Sequence, residues 1–331
     1  MNFASPETLV REINRPSAWT VKDLESRNWL VSLPPLCWKE LEDAIGQLRE
    51  HGGPVHEIDP SAFELSATRE FAQSLRKTQL DAGPGFAVVD RFPVQDYSKE
   101  DLTRAYWLLA SLVSRPVAQT YPGRVLFDVH DIGVGKKMVP GSGIRATVTN
   151  LDLNFHNDNC FNSVMPDYVG LLCLRSARSG GVSKTISFHS VHNILARESP
   201  ELLERLYQPI WWDRHREHGA EELPYVANPV FEVSGDIPLA RFSNYNIRGG
   251  YRLRGEEPDP LLQEALDRLI ELFESPELQH RFTMEPGQIQ FVNNRFVGHA
   301  RSNFDDHDDP GRKRHLVRLW LRDWGGKEYG G

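Results

Sequence analysis

A chain of 331 residues, 40% apolar and 25% charged, has the balance of a soluble globular protein and is long enough for one large domain or two ordinary ones. Its formal net charge of -8 excludes an extended basic face, so nucleic acid is not expected as a partner, whereas a small anion needs only one or two well-placed arginines. Three cysteines, Cys37, Cys160 and Cys173, offer no CxxC pair, and neither a secretion leader nor a membrane-length apolar run is evident, so a reducing cytoplasm is the expected compartment, with no membrane partner.

In chain order, the first eighty residues read as helical. SPETLVREI (5–13) opens on a Ser-Pro-Glu start, LCWKELEDAIGQLREHGG (36–53) closes on a glycine pair suited to a C-cap, and a third helix is expected over 65–80. DAGPGFAVVDRF (81–92) breaks the pattern with a Gly-Pro-Gly turn and a β-branched run, which predicts the first core strand. SKEDLTRAYWLLASLVSRP (98–116) returns to helical spacing, and VAQTYPGRVLFDV (117–129) is strand-like on both sides of a Pro-Gly turn. The loop GVGKKMVPGSG (133–143) carries Lys136 and Lys137 but lacks the GxxxxGK[ST] order, so a mobile loop is expected there rather than a phosphate cradle.

From residue 145 the strands become denser: RATVTNLDLNF (145–155), DYVGLLCLRSA (167–177), VSKTISFHS (182–190), GQIQFVNN (287–294) and RHLVRLWLRDW (314–324). Helical spacing interrupts them at 191–207 and 259–282. This order predicts a mainly β protein with a sandwich or jelly-roll core and helices outside it, in one domain spanning 1–331. Within it, 1–80 is the helical N-terminal region and 81–331 the core with helical insertions.

The chemistry-bearing stretch is TNLDLNFHNDNC (149–160), where Leu151, Leu153 and Phe155 alternate with polar residues. On a strand the side-chain period of two puts His156 and Asp158 on one face, able to share an ion. Two similar pairs, His215 with Glu217 and His307 with Asp309, sit in charge-rich stretches without apolar alternation, and a solvated surface is the better reading of each. A third ligand is expected at His299, beyond the Pro286-Gly287 turn and the strand that follows it. Two histidines and a carboxylate on one face of an ion leave adjacent positions open, as in non-heme Fe(II) oxygenases. In the last strand Arg314 and Arg318, four apart, share a face among Leu316, Leu319, Trp320 and Leu321. A buried arginine in such a strand is costly unless it meets an anion, and a carboxylate is the economical partner.

HND at 156–158, GGVSKT at 180–185, and NNRFVGHARSNFDD followed by RKRHLVRLWL together resemble the Fe(II)/2-oxoglutarate-dependent dioxygenases of the TauD/TfdA superfamily, more closely the clavaminate synthase-like branch, over about the last two thirds of the chain. The resemblance implies a double-stranded β-helix, that is, a jelly roll. It also implies Fe(II) held by His156, Asp158 and His299, with 2-oxoglutarate and O2 as cosubstrates. Arg314 would take the distal carboxylate of 2-oxoglutarate, assisted by the hydroxyl of Ser183 or Thr185. Arg318 matches a position near the C1 end of the cosubstrate or an anionic group of the substrate, and Asn157 stands where threonine is usual, beside the substrate surface. An intact Asp158 argues for oxygenation rather than halogenation.

The implied activity is oxidation, by hydroxylation or desaturation, of an unactivated C–H in a small molecule, amino-acid-like or a natural-product intermediate of secondary metabolism. Candidate substrate contacts are Arg145, Lys136, Lys137, the loop NCFNSVMPDY (159–168) and RFSNYNIRGGYRLRG (241–255), the last reading as a surface turn. Trp211-Trp212 reads as aromatic core. The competing readings are a cupin-like binding protein that holds a metal or acid without turnover, and a zinc hydrolase, against which stands the absence of an HExxH base.

Overall fold

The computed structural model describes residues 8–134 and 145–330, so Lys136 and Lys137 lie outside the described residues. Two sheets carry the core. Their strands, in chain order, are β1 (Leu30–Ser32), β2 (Phe86–Asp90), β3 (Pro116–Val117), β4 (Phe127–Val129), β5 (Leu153–His156), β6 (Tyr168–Arg175), β7 (Ser183–Ser187), β8 (His280–Phe282), β9 (Ile289–Asn293), β10 (Val297–Arg301) and β11 (His315–Leu321). The seven-stranded sheet runs β1-β2-β9-β6-β11-β3, with β4 also paired to β11, and the four-stranded sheet runs β8-β7-β10-β5. All pairs are antiparallel except β1 on β2. This is the jelly-roll architecture expected from the strand order.

Alternation along β11 shows how the layers form. Val317, Leu319 and Leu321 point outward into a core shared with Leu41, Leu75, Leu108 and Leu109, and so hold the helices Pro35–His51, Ser66–Leu75 and Lys99–Val113 against the large sheet. Burying each such leucine is worth about 1.5–3 kcal/mol, which is why this sheet face is covered by helix rather than solvent. Leu316 and Trp320 point the other way, toward the space between the sheets, as do the buried Arg314 and Arg318. A second helical layer, Phe188–Glu198, Pro200–Leu206 and Pro260–Glu274, packs with Phe155, Ile186 and Val297 of the small sheet.

Five local readings differ from the structure, the first being that the helix expected over 259–282 ends at Glu274, past which His280–Phe282 form β8. Residues 8–13 form no helix: the Asn193 amide pairs with both the N–H and the carbonyl of Ile13 and ties the end of this segment to the Phe188–Glu198 helix. The region 1–80 also contributes β1. The strand expected from residue 145 begins only at Leu153, after a 3-10 turn at Ala146–Val148, because the carbonyls of Thr149 and Leu151 accept from the Arg301 guanidinium instead of joining a ladder. Residues 241–255, read as a turn, contain the helix Asn244–Arg254, capped by Ser243 Oγ at one end and by left-handed Gly255 (φ 67°) at the other. Trp212 is fully buried, in line with the core reading. Among the described residues no helix is long and apolar enough to cross a membrane.

Candidate active site

His156 ends β5 and faces His299 of β10 as its direct antiparallel partner, which brings the two rings to 4.4 Å between centroids. Asp158 lies past the end of β5, in the turn that follows, so pleat periodicity alone does not place it. The turn is pinned by Asn294: its Oδ1 accepts the Asp158 N–H at 2.9 Å and its Nδ2 donates to the Asp158 carbonyl at 2.9 Å. Asn157 secures the same link, donating to the carbonyls of Asn294 (2.7 Å) and Val297 (3.2 Å), so its amide serves the turn. One ligand-type atom from each of His156, Asp158 and His299 lies within 4.8 Å of the others, the one such cluster among the described residues.

The surroundings suit a divalent ion with carboxylate and imidazole ligands. The His156 Nδ1 sits 2.9 Å from the Asn154 carbonyl, which assigns a proton there and leaves Nε2 as a lone-pair donor 3.5 Å from Asp158 Oδ1. Burial pushes the His299 imidazole down to about 3, so it is neutral and able to ligate. Burial opposes ionisation of Asp158, but the Arg318 guanidinium beside it holds its carboxyl far below the usual range. The Arg318 Nη1 lies 3.1 Å from both carboxylate oxygens, and Trp320 Nε1 donates to Oδ2 at 2.7 Å. Gln119 in turn accepts from Arg318 Nε at 2.8 Å.

Beside the triad is a set of buried polar atoms that have no partner in the protein: Thr185 Oγ1, Arg314 Nη1 and Arg318 Nη2. Thr185 is the direct β-partner of His299 on the side away from His156. Ser183, two residues earlier on the same face, pairs with Arg301. Arg314 is buried over the Phe304 ring at 5.1 Å, and at Gly181 (φ 66°) a Cβ would come within 3.3 Å of its Nε, so the turn closes tightly on the guanidinium. Buried donors without acceptors cost about 1–3 kcal/mol each, and a dicarboxylate supplies what these lack.

A cavity of about 380 Å³ opens on the other side of His156 and Asp158. Arg145 lines it, but its guanidinium is ion-paired to Glu217 and is thereby neutralised. His215 corrects the solvated reading given above: it lines the same cavity, with a left-handed backbone (φ 51°), its ring 5.8 Å from Tyr245 and its Nε2 buried without a partner. Its charged sequence neighbours gave no sign of this, because Glu217 and Arg145 satisfy each other across 72 residues. Asn294, Trp320 and Gln119 were likewise unassigned by sequence, since each acts only through a partner distant in the chain.

The family model described as "Taurine catabolism dioxygenase TauD, TfdA family" matches residues 48–320. The chain is 28% identical to the FR-33289 synthase of Streptomyces rubellomurinus over 329 residues, covering 98% of this chain and 94% of that protein. It is 28% identical to the L-asparagine oxygenase of Streptomyces coelicolor over 174 residues, 51% of this chain and 47% of that protein. Among solved structures, asparagine oxygenase in complex with Fe(II), 2S,3S-3-hydroxyasparagine and succinate superimposes with a TM-score of 0.67 at 22% identity, covering 89% of this chain and 93% of that one. The non-heme iron oxygenase OrfP in complex with Fe and alpha-ketoglutaric acid gives a TM-score of 0.63 at 17% identity, with 89% and 94% covered.

Proposed function

This chain belongs to the taurine catabolism dioxygenase TauD, TfdA family, and from that premise we propose that it is a non-heme Fe(II)- and 2-oxoglutarate-dependent dioxygenase that oxidises an unactivated C–H of a small, amino-acid-like molecule. The observations that carry the reading are the His156, Asp158, His299 cluster and the unpartnered buried atoms of Thr185, the strand partner of His299, and of Arg314. When bound, Fe(II) with 2-oxoglutarate and O2 supplies the C–H oxidation, the cosubstrate leaving as succinate and CO2.

The protein's own part is to hold and exclude. His156, Asp158 and His299 hold the ion, with the Asn294 clamp and the Asn154 carbonyl fixing two of them in orientation. Arg314 and Thr185 hold the distal carboxylate of 2-oxoglutarate, Ser183 being the alternative hydroxyl. Arg318 keeps Asp158 ionised and turns its free Nη2 toward the C1 end of the cosubstrate or a substrate anion. A cavity of about 380 Å³ accommodates a substrate of amino-acid size beside the ion. The relative named as an L-asparagine oxygenase supports that substrate class. Anaerobic titration of the protein with Fe(II) and 2-oxoglutarate, followed for a weak visible charge-transfer band, tests the reading. A screen of free L-amino acids for O2-dependent succinate then finds the substrate, and absence of the band with both added refutes the proposal.

A further inference from the structure

The cavity has a wall that lies beyond residue 320, where the family match ends. Tyr329 lines the cavity while being only 5% exposed. Its ring is stacked on Trp320 at 6.4 Å and 29° between planes, and Trp320 is the residue that donates to Asp158. Its hydroxyl donates to Asn159 Oδ1 at 2.8 Å, the residue after Asp158, and its carbonyl accepts from Asn162 Nδ2 at 3.2 Å. A closed circuit results, from Asp158 through Trp320, Tyr329 and Asn159 back to Asp158.

The segment that carries Tyr329 is fastened in place with unusual thoroughness for a stretch with no strand or helix. Arg322, 1% exposed, donates to the carbonyls of Gly326 (2.8 Å) and Glu328 (2.9 Å). Arg115 donates to the Trp324 carbonyl at 2.8 Å, and the Ala118 N–H to that of Lys327 at 2.8 Å. A guanidinium taken out of water must be met by acceptors, and here most of them are backbone carbonyls of this one segment, which fixes its path. We propose that Tyr329, held in place by the segment 322–330 that carries it, is a wall of the substrate cavity and closes it beside Asp158. The proposal rests on the dioxygenase reading for the nature of the site, and on the fold alone for the wall.

Cys160 supplies a readout independent of catalysis, because it also lines the cavity, adjoins Asn159 and is 3% exposed, whereas Cys37 and Cys173, each 1% exposed, lie elsewhere. Wild-type protein, Tyr329→Ala and Tyr329→Phe are treated with iodoacetamide, and labelling of each cysteine is followed by peptide mass spectrometry. Removing the ring is expected to raise the Cys160 rate by about tenfold with Cys37 and Cys173 unchanged, while Phe, which keeps the ring, stays within about twofold of wild type. Unchanged Cys160 labelling in Tyr329→Ala overturns the wall. So does a joint rise at all three cysteines, which marks Tyr329 as a general staple. If the wall result holds while wild-type protein gives no charge-transfer band with Fe(II) and 2-oxoglutarate, the dioxygenase reading falls and the wall stands.

Discussion

Arg314, just before β11, and Arg318, within it, are both buried, yet replacing each with methionine is expected to change the stability of the metal-free protein differently. Arg318 is paired: its Nη1 lies 3.1 Å from the Asp158 carboxylate, for which it is the charged partner. Removing one partner of a buried pair costs about 3–5 kcal/mol because the other charge is stranded. The 2.7 Å bond from Trp320 places the loss near the lower end. Arg314 is different. Its Nη1 is buried without an acceptor, and its side chain is otherwise held over the Phe304 ring. Methionine relieves about 1–3 kcal/mol of unmet desolvation and forfeits about 0.5–1 kcal/mol of cation–π attraction, so Arg314→Met is neutral to stabilising by about 2 kcal/mol. The same change removes the proposed clamp for 2-oxoglutarate. At about 2–5 kcal/mol for a desolvated charge-assisted contact, and about 1.4 kcal/mol per tenfold, affinity falls from roughly thirtyfold to more than a thousandfold. Denaturant unfolding of both metal-free variants, with 2-oxoglutarate titration of the Fe(II) forms, measures the two effects. The reasoning is refuted if Arg314→Met loses as much stability as Arg318→Met, or if it keeps 2-oxoglutarate affinity within about threefold of wild type.

Alanine at His156, Asp158 or His299 should abolish stoichiometric Fe(II) binding, measured by metal analysis after desalting, while His307→Ala and His215→Ala retain it, since neither joins the cluster; iron lost from His215→Ala would show that the cavity wall and the metal site are one unit. Trp320→Phe removes the donor to Asp158 Oδ2 and should lower metal-free stability by about 1.5–3 kcal/mol, with equal stability showing that Arg318 alone suffices. Acid should destabilise the fold through His189, whose imidazole burial holds at about 4 against an ordinary 6.5, between Ser17 Oγ and the Pro238 carbonyl. The unfolded chain then binds the extra proton, so this contribution is complete above pH 6.5 and is lost as pH falls toward 4, on the order of 3 kcal/mol in all. His189→Gln should flatten the pH dependence of denaturant stability in that window, and an unchanged slope would remove His189 from the account.

The sequence by itself determined the sheet-forming half of the chain and the face on which its charged residues lie, because pleat alternation is a local property. Leu316, Arg318 and Trp320 against Val317, Leu319 and Leu321 is readable from β11 alone, and His156 is marked as inward by Phe155 pointing the other way. Ordered motifs likewise carried the triad and the two arginines. Tertiary structure decided everything that depends on which distant residue satisfies a group. His215 looked solvated until Arg145 was seen to take its neighbour Glu217. Asp158 owes its place to Asn294, and Tyr329 reaches the cavity only because Arg322 and Arg115 hold its segment there. Periodicity registers which side of a strand a residue faces, whereas hydrogen-bond partnership between residues far apart in the chain leaves no trace in local pattern, and the cavity beside His156 and Asp158 is built largely from the second kind of information.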